Sequence, residues 1–414
     1  MKEINLCVVG LGYVGTPLLL ELRKKGLNAF GIDNDKQRIK NLQSCIDNHD
    51  ELDNESLETL SSIVFDDFSL LDDSPNVYIV TVPTPIDDDN IPNLEPLISC
   101  SENISARLKT GDLVIYESTV YPGTTEEICV PILEKSGLKF GKDFTVGYSP
   151  ERLAPGLGTK KINEVVKVVS ASDKESLEIV KYIYSTVIEA GIYVAESIKV
   201  AEAAKVTENI QRDVNIALVN ELYMLYESMG INTNQVLDAA GSKFNFHKYN
   251  QGLVGGHCIG VDPYYLIHKS KMHRLSAQLI ETARKINESL VEFLANQILD
   301  EIDHSKLKPS DVNLLFVGAT FKENCADIRN SKSLDLIQLL MTKGLSIDVF
   351  DPLISEEIQG VNLINSHRHL NNKYDSIFFS VCHEEVNRLG IKFFKQFHNN
   401  SMKIFDYKRV MTND

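Results

Sequence analysis

The stretch INLCVVGLGYVGTPLLLELRKKGLNAFGID, residues 4–33, decides the fold of the first part of the chain. It begins with a short apolar run rich in β-branched residues. A glycine-rich turn then leads into an apolar helical segment that ends at Gly26. A second short apolar run follows and ends in the acid Asp33. This pattern predicts a strand, a helix and a second strand joined as one βαβ unit.

The turn contains Gly10, Gly12 and Gly15 with the spacing G-x-G-x-x-G. The first glycine permits a tight turn, the second lets a pyrophosphate approach the backbone, and the third lets helix and strand pack closely. The N–H groups of the helix N-terminus then face the phosphates, and Asp33 stands where an acid binds a ribose 2′-hydroxyl and repels a 2′-phosphate. The sequence therefore predicts a dinucleotide site that favours NAD over NADP. The alternative is that these glycines serve only helix–strand packing.

Strand and helix signals recur along the chain on both sides of a helical middle. Strand-like runs at 76–83, 112–119 and 144–150 extend the first sheet, and helical segments cover roughly 197–229 and 275–302. VNLLFVGATF, SKSLDLIQLLMTKG and LSIDVFDP then repeat the opening pattern without its glycine motif, and YDSIFFSV and MKIFDYK predict later strands. The predicted fold class is α/β, with two Rossmann-like doubly wound domains joined by a long-helix central domain. The expected domains are 1–197, which contains the dinucleotide site, 198–304, whose long helix would carry a dimer interface, and 305–414.

Charge and cysteine content exclude several classes of protein. The 414 residues carry a formal net charge of -16, which argues against nucleic acid or an anionic membrane as partner. Seven cysteines are an odd number and none forms a CxxC pair, so neither a disulfide framework nor a zinc site is indicated. These features favour a reducing cytoplasm, and no apolar run is long enough to span a bilayer.

A glycine-rich segment around one cysteine raises the question of chemistry. Four glycines surround Cys258 in GLVGGHCIGVDPYYL, residues 252–266, and Asp262 follows four residues later. On the predicted long helix Lys205 and Asn209 share one face, with Arg212 near the same stripe. A lysine beside a thiol favours the thiolate, and a lysine with an amide can stabilise an oxyanion. Spacing alone leaves two interpretations open, a reactive thiol and a small buried thiol in a structural turn.

The ordered motifs GLGYVGTPL, TVPTP, ESTVYPGTT, GYSPERLAPG, AEAAKVTENIQRDVNIALVNE, GLVGGHCIGVDPYYL and FKENCADIRNSKS cover nearly the whole chain. They resemble the nucleotide-sugar 6-dehydrogenases, which include UDP-glucose dehydrogenase, and most of all the UDP-N-acetylhexosamine branch. The resemblance implies oxidation of the sugar C6 alcohol to a carboxylate for surface polysaccharide biosynthesis, with two NAD, no metal, and a homodimer or dimer-based oligomer. It also implies that 198–304 carries the active site and that 305–414 binds the UDP-sugar. UDP-GlcNAc is the favoured substrate. Cys258 matches the nucleophile that forms a thiohemiacetal and then a thioester.

The resemblance also implies roles for individual positions. The catalytic residues are Cys258, Lys205, Asn209, Asp262, Thr119 and Glu151. Expected at the cofactor are Gly10, Gly12, Tyr13, Val14, Gly15, Asp33, Arg38, Thr84, Thr119 and Arg329. Expected at the substrate are Glu151, Arg152, Lys205, Asn209, Arg212, Tyr249, Asn250, Gly252, Phe321 and Lys322. Lys205 and Asn209 match an oxyanion-stabilising pair, and Asp262 matches the carboxylate that assists proton transfer and water activation.

This chain departs from the UDP-glucose members at two positions. Pro155 replaces a second glutamate, which puts the general base of that region in doubt, and Lys243 stands in place of an arginine that reaches across from a partner subunit. A UDP-ManNAc 6-dehydrogenase or a UDP-glucose 6-dehydrogenase stays an alternative interpretation. So does a two-electron NAD dehydrogenase in which Cys258 is structural, and, more remotely, a non-catalytic nucleotide-binding protein.

Overall fold

A computed structural model describes residues 4–47, 52–70, 76–152 and 162–411. The chain divides into two compact units. The first contains 1–154, 159–208 and 264–274, and the second contains 155–158, 209–263 and 275–414. Pro155 lies outside the described residues. Among those residues no helix combines the length and the apolarity needed to cross a bilayer.

The first unit contains an eight-stranded sheet in the order β3-β2-β1-β4-β5-β6-β7-β8. Its strands are β1 (Asn5–Val9), β2 (Asn28–Ile32), β3 (Val64–Phe65), β4 (Val77–Val80), β5 (Asp112–Tyr116), β6 (Phe144–Tyr148), β7 (Lys167–Ala171) and β8 (Ile192–Val194). Neighbouring strands are parallel except for the antiparallel pair β6–β7. The expectation of a largely parallel sheet is confirmed, and each predicted strand of this part is present.

Helices cover the sheet and supply the apolar core of the first unit. They are α1 (Gly15–Lys24), α2 (Lys36–Gln43), α3 (Asn54–Ser61), α4 (Glu95–Ser105), α5 (Val130–Leu133) and α6 (Lys174–Val187). The α1 helix buries Leu18, Leu19 and Leu22 against β1 and its neighbours, because these side chains recur on one helical face. It ends before Gly26, whose φ of 80° lets the chain reverse toward β2. The βαβ unit that the sequence pattern predicts is therefore present.

Two long helices mark the middle of the chain. The α7 helix (Ile198–Ser228) belongs to the first unit up to residue 208 and to the second unit from residue 209. The second unit also contains α8 (Thr233–Gly241) and α10 (Gln278–His304). A further helix, α9 (Asp262–Met272), begins directly after the glycine-rich segment, and the sequence had not predicted it.

The second unit ends in a four-stranded parallel sheet in the order β11-β10-β9-β12. It consists of β9 (Asn313–Val317), β10 (Ser346–Phe350), β11 (Asn362–Ile364) and β12 (Ser376–Phe379), with α11 (Lys332–Thr342) and α12 (Glu384–Lys395). This order matches β3-β2-β1-β4 of the first sheet, so the sequence repeat is a structural repeat. The predicted fold class is confirmed.

The last predicted strand, MKIFDYK, does not extend the sheet as a strand. Only Phe405 pairs with β12, through hydrogen bonds of its backbone with Ile377 and Phe379, each 2.8 Å long. The next residue, Asp406, accepts hydrogen bonds from the N–H groups of Val410 and Met411. These bonds fold the chain into a turn, so apolar alternation alone was not enough to form a strand.

Candidate active site

The glycine turn after β1 leaves room for a pyrophosphate. Gly10 has a φ of 97°, and a Cβ on Gly15 would overlap the Gly10 carbonyl oxygen, so both positions require glycine. A Cβ on Gly12 would meet nothing within 4 Å, which leaves the outer side of the turn open. The α1 helix begins at Gly15, directly after this turn, and the positive end of its dipole favours an anion there. The turn therefore fits the dinucleotide that the sequence predicts.

Asp33 lies beside this turn at the end of β2. Its carboxylate accepts hydrogen bonds from the N–H of Leu11 at 2.6 Å and from the N–H of Asp35 at 2.8 Å. The acid is therefore held next to the glycines in the position from which a ribose hydroxyl can be bound.

Arg38 also reaches the turn. It forms an ion pair of 3.0 Å with Asp47, and its Nε lies 3.4 Å from the carbonyl oxygen of Leu11. Tyr13 is 43% exposed at the mouth of the same turn, beside Val14. The predicted cofactor residues of this turn are thus gathered in one place.

A second group of predicted residues is linked through the loops after β4 and β5. The Thr84 hydroxyl donates to the carbonyl oxygen of Thr119 at 2.6 Å. The buried Tyr265 of α9 donates its hydroxyl to the carbonyl oxygen of Thr84. The hydrogen bonds fix both threonine loops at the carboxyl ends of the parallel strands, where ligands of such sheets bind.

The corresponding turn in the second unit keeps one glycine, Gly318. Asp351 stands after β10 as Asp33 stands after β2, and it accepts the N–H of Ala319 at 2.8 Å. It is fully buried and lies 3.1 Å from His383 Nε2. A Cβ on Gly318 would overlap the carbonyl oxygen of Val381, so this position requires glycine as Gly10 does. The structural repeat therefore keeps the first glycine and the acid, while Thr320 and Glu323 replace the second and third glycines.

Glu151, predicted to be catalytic, lies beside a buried charged cluster of the first unit. Lys167 Nζ is 2.6 Å from Glu117 Oε2 and 3.4 Å from Glu151 Oε2, and Tyr184 donates its hydroxyl to Glu117. Burial opposes the charged form of Lys167, but the attraction of Glu117 and Glu151 outweighs it and raises the pKa of Lys167. Lys167 is therefore a buried cation that holds two carboxylates.

The remaining predicted residues of the first unit are Arg152 and Lys205. Arg152 forms an ion pair of 2.6 Å with Glu208 of α7 and donates to the Val166 carbonyl oxygen at 2.9 Å. Lys205 lies on α7 and is 8% exposed, which is low for a lysine and unlike a solvated surface side chain.

The predicted nucleophile and its neighbours lie in the second unit. Cys258 is half-buried, and its carbonyl oxygen accepts the N–H of Asp262 at 2.8 Å, so the cysteine is one turn ahead of α9. The buried Asp262 carboxylate accepts a hydrogen bond of 2.6 Å from the Asn209 side chain. Arg212 in turn lies 3.4 Å from Asn209 Oδ1. The structure thus brings Asn209, Asp262 and Arg212 together.

The glycines before Cys258 serve close packing within the second unit. A Cβ on Gly256 would lie 2.6 Å from the Phe321 ring, and a Cβ on Gly255 would overlap the Asn330 carbonyl oxygen. The N–H of Gly256 also donates to that oxygen at 3.2 Å. Sequence reasoning assigned these glycines to ligand approach or unusual dihedrals. Gly256 does have a positive φ of 79°, and at both Gly255 and Gly256 the close neighbour is the turn that follows β9.

Predicted substrate residues surround both ends of this loop. The Tyr249 hydroxyl accepts a hydrogen bond of 2.9 Å from Gln211, and Asn250 beside it is exposed. Gly252 is bound through both its N–H and its carbonyl group by one side chain, Asn220. Sequence reasoning gave Asn220 no role.

The turn after β9 carries the other predicted residues of the second unit. Lys322 places its Nζ 5.6 Å from the centre of the Phe321 ring. Arg329 is bound by the Asp327 carboxylate at 2.7 and 3.0 Å, and the exposed His257 lies 3.3 Å from the same carboxylate. Burial raises the pKa of Asp327, but the hydrogen bonds from His257 and Arg329 and the positive charge of Arg329 outweigh it and lower that pKa. The His257 ring also packs edge-on against the Phe321 ring, with the two ring centres 6.5 Å apart.

Sequence reasoning gave no role to three buried polar residues. Lys167, Glu117 and Asn220 are all buried; Glu117 and Asn220 stand within the motifs ESTVYPGTT and AEAAKVTENIQRDVNIALVNE, and Lys167 lies outside any motif. The available signal was a charged residue within or next to an apolar strand run, in VVKVVS and LVIYE. Buried charges need partners, so two opposite charges at strand ends predict a pair. Among the described residues no cluster of three or more His, Cys, Asp or Glu could hold a metal ion.

Comparison with known proteins gives concordant results. Domains of the UDP-glucose/GDP-mannose dehydrogenase family match residues 4–188 (NAD binding domain), 199–289 (central domain) and 315–413 (UDP binding domain). The UDP-N-acetyl-D-glucosamine 6-dehydrogenase of Pseudomonas aeruginosa is 44% identical over 420 residues, covering 100% of this chain and 99% of the relative. That of Salmonella typhi is 41% identical over 414 residues, covering 99% and 97%. The solved UDP-D-ManNAc dehydrogenase of Pyrococcus horikoshii has a TM-score of 0.86 at 26% identity, covering 99% and 97%.

The open glycine turn, its acid and the matched dehydrogenase domains define an NAD-dependent dehydrogenase. The predicted enzyme class and the predicted NAD cofactor are thereby confirmed. The chain belongs to the UDP-glucose/GDP-mannose dehydrogenase family.

Proposed function

We propose that this enzyme oxidises the C6 alcohol of a UDP-N-acetylhexosamine, with UDP-GlcNAc as the first choice, to the uronic acid. The observation that carries the proposal is full-length identity of 44% and 41% to two enzymes named UDP-N-acetyl-D-glucosamine 6-dehydrogenase. The matched UDP binding domain at 315–413 supports a UDP-linked substrate. The product, a nucleotide-activated uronic acid, suits surface polysaccharide synthesis.

NAD, when bound, accepts the hydride in each of two successive oxidations. The glycine turn, the α1 N-terminus and Asp33 would hold its pyrophosphate and ribose, because these groups combine an open backbone with a fixed acid. Arg38, paired with Asp47, would meet the adenosine end, and its ion pair leaves it a poor partner for a 2′-phosphate. Thr84 and Thr119 would line the nicotinamide end.

Cys258 makes the second oxidation possible. The aldehyde formed in the first oxidation has no hydride poised to leave until a nucleophile adds to its carbon. The Cys258 thiolate adds there and gives a thiohemiacetal, and loss of the second hydride leaves a thioester. Water then attacks the thioester carbon, the C–S bond breaks, and the acid leaves while the thiolate is restored. The aldehyde thus stays bound between the two oxidations.

The other predicted catalytic residues would handle charge and protons. Asn209 has two amide N–H groups, and one of them donates to Asp262. The other N–H and the Lys205 ammonium would together stabilise the oxyanion of the thiohemiacetal. The buried Asp262 carboxylate would accept the proton of the attacking water. Glu151, held by Lys167, would supply a further acid near the reacting alcohol.

Cations and loop amides would bind the nucleotide sugar. Arg152, Arg212 and Lys322 would offset the two phosphate charges, which the net charge of the whole protein would otherwise repel. Tyr249, Asn250, Gly252 and Phe321 would contact the sugar and the nucleotide, and Arg329 would lie toward the cofactor. With Lys243 at the position where UDP-glucose enzymes carry an arginine, the sugar pocket differs from theirs.

A substrate panel tests the proposed reaction. NADH formation is measured with UDP-GlcNAc, UDP-ManNAc, UDP-GalNAc and UDP-glucose. We expect UDP-GlcNAc to be oxidised fastest, with two NADH formed for each sugar consumed. One NADH per sugar, with free aldehyde released, would indicate a two-electron enzyme with a structural Cys258. If the protein binds NAD but oxidises none of these four sugars, it is a non-catalytic nucleotide-binding protein.

UDP-ManNAc is the second candidate substrate. It is favoured by the TM-score of 0.86 with the UDP-D-ManNAc dehydrogenase of Pyrococcus horikoshii, at the lower identity of 26%. The two sugars differ only in the configuration at C2, and few pocket contacts distinguish them. Preferential turnover of UDP-ManNAc in the panel would replace the first choice with this one.

A homodimer built on the second half of α7 is also expected. Leu218 and Leu225 are 54% and 48% exposed and lie seven residues apart, so they form an apolar stripe on one helical face. Light scattering should give twice the mass of one chain, and Leu218→Glu with Leu225→Glu should give the mass of one. Ile91→Glu, at another exposed apolar position, should keep the dimer. A monomeric wild-type protein would contradict this expectation.

A further inference from the structure

One buried amide holds the loop that leads to Cys258. Asn220 of α7 is fully buried; its Oδ1 accepts the N–H of Gly252 at 2.8 Å, and its Nδ2 donates to the Gly252 carbonyl oxygen at 3.0 Å. Both backbone hydrogen-bonding groups of Gly252 are therefore satisfied by a single side chain. A buried backbone group left without a partner is costly, so this pair of bonds fixes where the loop begins.

The orientation of that amide is determined by a chain of partners. Asn287 of α10 accepts a second bond from Asn220 Nδ2 at 2.8 Å and donates its own Nδ2 to Asp213 Oδ1 at 2.7 Å. Arg284 donates to the same carboxylate oxygen at 2.6 Å. Because a carboxylate only accepts, Asn287 must turn its NH2 group to Asp213 and its oxygen to Asn220. Asn220 then has one orientation, which is the one that Gly252 requires.

The same network continues to the turn after β9. Arg284 also pairs with Glu288, and Glu288 lies 2.7 Å from Lys332 at the start of α11. A few residues along the loop, the N–H of Gly256 donates to the Asn330 carbonyl oxygen. The segment from Gly252 to Gly256 is thus attached at one end to α7 and at the other to this turn, two residues ahead of Cys258.

We infer that Asn220 is a positioning residue, whose buried amide, oriented through Asn287 by the Asp213 carboxylate, holds Gly252 where the loop binds the nucleotide sugar. The inference rests on the proposed function, since it assigns Asn220 to the nucleotide-sugar side of that reaction. Asn220 acts through Gly252 and needs no contact with substrate. Its loss should therefore affect the nucleotide sugar and spare NAD.

Asn220→Ala and Asn220→Asp test the inference by steady-state kinetics with UDP-GlcNAc and NAD. The alanine removes two hydrogen bonds to Gly252, and the aspartate turns an oxygen toward the carbonyl oxygen of Gly252 and toward Asn287 Oδ1. Each variant should raise the KM for the nucleotide sugar at least about tenfold, while the KM for NAD stays within about twofold. Titration with UDP alone should show the same loss of affinity. Asn215→Ala is the matched control, because this amide of α7 donates to the Gln211 carbonyl oxygen of its own helix.

A double-variant cycle separates positioning from a general loss of structure. Asn287 contacts Asn220 rather than the loop, so Asn287→Ala should raise the same KM less, and adding it to Asn220→Ala should raise the KM no further. If Asn220→Ala does not fold, Asn287→Ala carries the test alone. Unchanged KM for the nucleotide sugar in folded variants, or equal losses for both substrates, would overturn the inference while the proposed function stands. A wild-type enzyme that oxidises no UDP-sugar would remove the proposed function and this inference with it.

Discussion

Replacing Cys258 by serine is expected to reduce turnover of the nucleotide sugar by roughly a hundredfold or more. A serine hydroxyl is far less ionised than a thiol at neutral pH and is the poorer nucleophile toward the aldehyde. The first oxidation needs no sulfur, so the variant should still form some NADH before it stalls. NADH yield per sugar and the mass of the intact protein during turnover measure both effects.

The control for this variant is another cysteine of the chain. Cys45 is exposed and lies outside the proposed machinery, so Cys45→Ser should keep wild-type turnover. In the wild-type enzyme the mass of a sugar adduct should appear on the peptide that contains Cys258. Wild-type turnover by Cys258→Ser would remove the covalent step, and the structural interpretation of this thiol would then hold.

Lys167→Met is expected to lower the free energy of unfolding of the first unit by about 3–5 kcal/mol at neutral pH, the usual cost of removing one partner of a buried ion pair. Lys167 is 4% exposed and Glu117 is fully buried at 2.6 Å from it, so the variant leaves a carboxylate without its cation. Chemical denaturation measures this loss. NAD stabilises the unit that binds it, so the unfolding transition that NAD moves to a higher denaturant concentration is that of the first unit, and the loss is read from that transition.

The pH dependence of this loss has a definite sign. Burial raises the pKa of Glu117, and without Lys167 nothing comparable opposes that shift. The folded variant then binds more protons than its unfolded chain, so its stability should rise as the pH falls from 8 toward 5. The deficit relative to wild type should therefore be smaller at pH 5 than at pH 8.

Two further variants test the origin of the effect. Lys181→Met removes an exposed ion pair with Glu178 on α6 and should cost less than about 1 kcal/mol. Glu117→Gln combined with Lys167→Met removes both charges of the buried pair and should recover part of the loss. A Lys167→Met variant as stable as wild type at pH 8 would show that water or a rearranged partner replaces the ammonium.

Local patterns predicted much of the fold. The run from Ile4 to Asp33 carries a strand signal, a glycine turn and a helical face within a single stretch of chain, so its βαβ structure follows from neighbouring residues. The same reasoning predicted the long helices α7 and α10 and the second strand–helix–strand copy. It failed at MKIFDYK, because whether an apolar segment pairs along its length depends on the turn that Asp406 forms after it.

The sequence by itself determined the α/β class, the repeat and the NAD turn, since each depends on residues close together in the chain. Only the tertiary structure decided that Asp351 is buried beside His383, that Gly255 and Gly256 pack against the turn after β9, and that Lys167 has Glu117 as its partner. These features depend on pairs of residues that lie far apart in sequence. Burial makes the interaction within such a pair strong. The residues next to each partner in the sequence do not indicate which residue it will contact in the fold.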